Sequence, residues 1–141
     1  MKANNEHQMG RMFAPAPATG TESEEQITLF QWAEIMKNRL PELALLHHIP
    51  NGGQRGCTTA RLLKAEGVKS GVPDVSLPVP RGCYHGFYVE MKVGKNKPTD
   101  KQEYWLAQLQ KQGYFVMVAY GWKEAADKIE KYLALQEGQN L

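Results

Sequence analysis

The chain holds 141 residues, 42% apolar and 23% charged, with a formal net charge of +2, which suits one folded domain with one core. No apolar run approaches the roughly 18 residues that a membrane-spanning helix needs, and the first residues (MKANNEHQMGRMF) lack the apolar stretch of a secretory leader. Two cysteines, Cys57 and Cys83, are too few for a disulfide scaffold, so a reducing cytoplasm is the expected compartment.

Residues 1–20 end in PAPATG and show no apolar period, which predicts a flexible tail ahead of one domain at 21–141. Thr21 with Glu24 three residues on is a capping-box signature, and Ile27, Leu29, Phe30, Trp32, Ala33, Ile35 and Met36 give a wide apolar face at helical spacing. Pro41 lies just past that helix. Leu43–Ile49 (LALLHHI) is short and apolar and is expected to be a strand, closed by the turn Pro50-Asn51-Gly52-Gly53. Thr58–Glu66 predicts a short helix stopped at Gly67.

Two strands follow. Asp74–Val79 comes after the turn Gly71-Val72-Pro73, and Pro78 and Pro80 make it fray early or run along an edge. Gly86–Val93 is rich in aromatic and β-branched residues. Thr99–Gln112 is a second long helix with a capping box in Thr99 and Gln102, and Gly113 ends it. Tyr114–Tyr120 (YFVMVAY) has the pattern of a buried strand, and Trp122–Leu135 closes the chain as a helix with Ala125, Ala126, Ile129, Leu133 and Ala134 inward. Trp32, Tyr104, Trp105, Phe115 and Met117 are assigned to the core. The order α-β-α-β-β-α-β-α predicts an α/β domain with a mixed sheet and helices packed on it.

The small net charge hides an asymmetry. Residues 47–101 carry nine Lys and Arg against four Asp and Glu, while both flanks are slightly acidic. A basic middle is the footprint of a phosphate-binding surface, although a solvated lysine face has the same composition.

The same segment holds the residues with chemistry. Glu90 and Lys92 are two apart in a strand, so they share a face, and Val89, Met91 and Val93 take the other. If the two strands pair, Asp74 comes close to Glu90. Two carboxylates held together and partly buried repel, and a divalent cation relieves both penalties. Mg²⁺ favours that donor set, and a neighbouring lysine can orient or activate water. His47, His48, Cys57, Cys83 and His85 show no zinc-ligand spacing.

The stretches SEEQITLFQWAE (23–34), IPNGGQR (49–55), LLKAEGVKSGVPDVSLPV (62–79), YHGFYVEMK (84–92) and TDKQEYWLAQLQKQGYFVMVAYGW (99–122) together resemble the virus-type replication-repair nuclease (VRR-NUC) domain of the PD-(D/E)XK nuclease superfamily. The resemblance implies a restriction-endonuclease-like core. It implies Asp74 and Glu90 as Mg²⁺ ligands (Mn²⁺ substituting), Lys92 as the residue that positions water, and Gln102 as the helix glutamine of the site. A first-helix glutamate completes the family's set. Of Glu22, Glu24 and Glu25, the helical stripe Glu25, Leu29, Trp32, Met36 selects Glu25, with Glu24 second. Asn51, Gln54, Arg55, Lys95, Lys97 and Lys101 are candidate contacts to a DNA backbone. The long segment Arg81–Gly86 leaves the register of Asp74 against Glu90 open.

The resulting expectation is a metal-dependent endonuclease on branched DNA, of the Holliday-junction-resolving kind and of phage or prophage origin, working as a homodimer. The alternatives are a monomeric, sequence-blind nicking nuclease and a non-catalytic DNA-binding module on the same fold.

Overall fold

Both capping boxes form. Thr21 Oγ1 accepts from the Glu24 amide while Glu24 Oε2 accepts from the Thr21 amide at 2.7 Å, which starts α1 (Glu22–Met36). Thr99 and Gln102 repeat the exchange at the start of α3 (Asp100–Lys111), with the Thr99 amide 2.8 Å from Gln102 Oε1. Between the two helices run a 3₁₀ turn (Pro41–Leu45), β1 (His47–His48), α2 (Cys57–Ala65), β2 (Val75–Leu77) and β3 (Phe87–Lys92). β4 (Phe115–Tyr120) and α4 (Trp122–Leu133) follow α3. The computed structural model describes residues 20–51 and 56–141. The predicted tail up to Thr19, and Gln54 and Arg55, lie outside the described residues.

The strands form one mixed sheet in the order β1-β2-β3-β4, with β3 and β4 parallel and the other pairs antiparallel. Helices flank it, the α/β arrangement that the element pattern predicts. Phe87, Val89 and Met91 point to one face, where Leu29, Trp32 and Ala33 of α1 meet Ala125, Ala126, Ile129 and Tyr132 of α4 in a single core. Tyr132 is fully buried. Its ring lies edge-on to Phe87 at 5.2 Å, and its hydroxyl donates to the Val79 carbonyl at 2.6 Å, so the one polar atom it buries is satisfied. Burial also pushes the Tyr132 hydroxyl above its ordinary pKa.

Several expectations change. LALLHHI is not a strand: Pro41–Leu45 winds as a 3₁₀ turn and only His47–His48 pair with β2. Proline suits the start of a helical turn, and Leu43 and Leu46, three apart, are the residues of the run that reach the core. β2 is short, but β1 pairs outside it, so it is not the sheet edge. β4 is an edge strand and is half-buried along most of its length, with Ala119 its fully buried residue. Tyr104 is 63% exposed rather than core, and in α4 Tyr132 is buried where Leu133 is half-buried and Ala134 exposed. Among the described residues no helix is long and apolar enough to cross a membrane.

Candidate active site

The opposite face of β3 carries Tyr88, Glu90 and Lys92. The β2–β3 register pairs Val75 with Val89, which places Asp74 next to Glu90 and resolves the alignment that the Arg81–Gly86 segment left open. That segment turns back through an Arg81–Tyr84 bridge without disturbing the register.

Each group is held by a bond that follows from its place in the chain. Asp74 directly precedes β2, and its Oδ2 accepts from the Met91 amide at 2.8 Å. The Asp74 carbonyl, on the other side, meets His48 Nδ1 at 2.7 Å and the Ile49 amide at 2.7 Å, so β1 pins the same residue. Glu90 is 1% exposed. Its Oε1 accepts from Gln102 Nε2 at 2.6 Å and lies 3.1 Å from Lys92 Nζ. Gln102 therefore performs both functions open to it. Its oxygen caps Thr99, which forces its amide nitrogen towards Glu90.

Glu90 Oε2 is buried and receives no hydrogen bond from any described residue. Burial raises the Glu90 pKa to about 7, helped by the negative charge of Asp74 and opposed by Lys92. Asp74 is likewise raised, first by burial and then by Glu22, against the pull of the Met91 amide, Lys92 and His48. Lys92 is pulled down by burial, but its hydrogen bond to Glu90 and the charges of Glu90, Glu22 and Asp74 outweigh that and hold it above its ordinary value. It is an ammonium at neutral pH. Two carboxyls driven towards protonation around one fixed cation form a strained, unbalanced cluster of the kind that functional sites show.

The first-helix glutamates divide in a way the stripe argument did not anticipate. Glu25 does face inward and is 8% exposed, but its Oε2 accepts from the Trp122 amide at 2.8 Å. It serves as the N-terminal cap of α4, whose own N-cap residue is Gly121 and has no side chain to offer. Glu24 is spent on its own helix. The carboxylate that faces the site is Glu22, with Oε1 3.5 Å from Lys92 Nζ and 3.4 Å from Asn96 Nδ2. Among the described residues no three His, Cys, Asp or Glu side chains converge as a ready metal cage, so the carboxylates come together as the Asp74–Glu90 pair with Glu22 behind Lys92.

Of the candidate backbone contacts, Asn51 is turned inward. Its Nδ2 donates to the Val72 carbonyl, just ahead of Asp74, which makes it a brace for the site. Lys95, Lys97 and Lys101 are exposed and make no ion pair among the described residues, as Arg61, Lys64 and Lys69 do not. Arg81, counted in the basic middle, is neutralised by Glu42.

A family model, that of the VRR-NUC domain, matches residues 10–123. A solved structure described as a VRR_NUC domain protein superposes with a TM-score of 0.73 at 31% identity, over 86% of this chain and 97% of that one. No curated protein matches the chain. With the match spanning most of the sequence and the fold shared, the chain belongs to the VRR-NUC domain family, a family of nucleases.

Proposed function

We propose that the protein is a metal-dependent DNA endonuclease of PD-(D/E)XK type, with Asp74, Glu90 and Lys92 as its reactive centre. One observation carries this reading. A fully buried glutamate, beside a second carboxyl and a lysine, has an oxygen that no described donor reaches. A protein that only bound DNA would gain nothing from that cost.

The donor set fits a hard divalent cation. Asp74 and Glu90 offer carboxylate oxygens, and their raised pKa values record the need for a counter-charge. Mg²⁺ is the ion proposed, with Mn²⁺ as a substitute. When bound, such an ion supplies positive charge to the phosphoryl group under attack. The chain's own residues do the rest. Lys92, kept protonated, donates to the attacking water or to a phosphoryl oxygen. Gln102 and the Met91 amide fix the two carboxyls so that neither needs to reorganise during reaction. Glu22 holds Lys92 from outside and is the helix-1 glutamate proposed for the site in place of Glu25.

The exposed Arg61, Lys64, Lys95 and Lys97 support DNA phosphates as the substrate contacts, and phosphate contacts orient without reading sequence. Ile27 and Ile35 on the outside of α1 and Leu62 on α2 are exposed apolar surface on which a second copy can pack, which supports action as a homodimer on a branched substrate such as a Holliday junction.

The test is cleavage of a labelled four-way junction and of the matching duplex, with Mg²⁺ or with EDTA, by wild type and Asp74→Ala. Junction cleavage that needs metal and disappears in Asp74→Ala is expected. Cleavage that survives the substitution, or absence of cleavage with any divalent metal, removes the reading.

A further inference from the structure

A surface concavity on the outer side of α3 is not used by the chemistry above. Lys69, Ser70, Asp100, Lys101, Tyr104 and Trp105 line a cleft of about 530 Å³, within the range of about 300–1,000 Å³ typical of small-ligand sites. The two segments that line it are packed closely together. Gly71 has φ +89°, and a Cβ there would lie 2.7 Å from the Lys101 backbone, so the turn after Lys69–Ser70 packs directly on the first turn of α3. Tyr104 lies on the outward face of α3 and is 63% exposed, an aromatic ring presented to solvent at the cleft. Lys69 and Lys101 have no carboxylate partner among the described residues.

We infer that this cleft binds one unpaired nucleotide of the substrate, its base stacked on Tyr104 and its phosphate held by Lys69 and Lys101. The inference rests on the nuclease reading and names the substrate feature that reading leaves open. A base inside a duplex has neighbours on both faces and offers nothing to an aromatic ring in a concave pocket. An unstacked base does, and the contact is indifferent to sequence. Asp100 on the same rim repels phosphate and so directs it to the lysine side. The cleft is also in the right place. Gln102 and Tyr104 are two residues apart on α3, about 200° around the helix. One side of the same turn therefore holds Glu90 while the other faces the cleft. A strand passing from the reactive centre to the cleft crosses only about one helix diameter, ~10–12 Å.

The experiment uses the full chain in EDTA and two fluorescein-labelled probes, a blunt hairpin duplex and the same hairpin with a three-nucleotide overhang. Wild type is expected to favour the overhang. Tyr104→Ala should lose about tenfold in affinity for the overhang and little for the blunt probe, while Tyr104→Phe keeps the preference. With 2-aminopurine in the overhang, quenching on binding should appear in wild type and Tyr104→Phe and vanish in Tyr104→Ala. No overhang preference in wild type, or equal loss on both probes in Tyr104→Ala, overturns the inference. The Asp74→Ala cleavage assay separates the two readings. If Asp74→Ala stops cleavage but Tyr104→Ala leaves overhang binding intact, only the nucleotide site falls. If the reverse holds, the site stands and the nuclease assignment falls.

Discussion

The two faces of the sheet are built for different ends. On one, α1 and α4 close over Phe87, Val89 and Met91, and Leu29, Trp32, Ile129 and Tyr132 are buried between them. On the other, α3 has no fully buried residue, and the deepest group is a carboxyl. A face sealed by two helices can hold the fold alone, which frees the other to carry an electrostatic cluster that costs stability. If that division is real, substitutions on the two faces should separate cleavage from stability.

Glu90→Gln is the strongest attempt to break it. The amide keeps the shape but not the charge, so cleavage should fall on the order of 10²–10³-fold or more. The melting temperature of the metal-free protein at pH 8 should hold or rise, because a buried carboxylate with an unsatisfied oxygen is gone. A melt and a junction assay on the same preparation decide it. A large loss of stability would mean that Glu90 is structural.

Leu29→Ala probes the closed face. The side chain is fully buried, so truncation should cost about 2–5 kcal/mol, read in urea melts, while cleavage per folded molecule stays near wild type. Coupled loss of activity at full folding would show that the faces are not independent.

The site's pH response follows from its pKa values. Glu90 sits at about 7 in the folded chain against an ordinary 4.5. Between those values the folded state holds the proton more tightly than the unfolded one, so stability falls as pH rises from about 5 through 7 and stays low above. Asp74, also raised, adds in the same direction. Melts in EDTA should therefore show wild type losing stability relative to Glu90→Gln between pH 5 and 8. Adding Mn²⁺ should restore more at pH 8 than at pH 5, since metal and proton compete for the same oxygens.

What could be read from sequence divides along the same line. Helix starts were legible because a Thr with Glu or Gln three residues on has one local use, and both boxes form. Asp74 beside Glu90 and Lys92 was legible because strand alternation fixes a face and pairing fixes a neighbour. LALLHHI was not, since a short apolar run fits a 3₁₀ turn as well as a strand, and Pro41 tipped it. β4 looked buried because its composition is apolar, but burial depends on what packs beyond it, and nothing in its own residues marks it as an edge. Tyr104 failed for the same reason.

Glu25 is the case in which the helical stripe gave the burial but not the hydrogen-bond partner. The stripe argument placed it inward, and it is inward, but inward from α1 means towards α4 as well as towards the sheet. Gly121 brings the α4 N-terminus to it, and a carboxylate there accepts from the Trp122 amide and complements the helix dipole. Glu22, one turn earlier, projects past the core and meets Lys92. The pair gives the finest test of the two-face division. Glu25→Gln keeps an acceptor for Trp122 but loses its charge, so it should cost about 1 kcal/mol or less of stability and leave cleavage within a few-fold. Glu22→Gln, half-exposed and outside the core, should leave the melt unchanged and lower cleavage more than Glu25→Gln does. The opposite pattern would return the helix-1 role to Glu25 and make its bond to Trp122 a feature of the metal-free protein, exchanged when the ion binds.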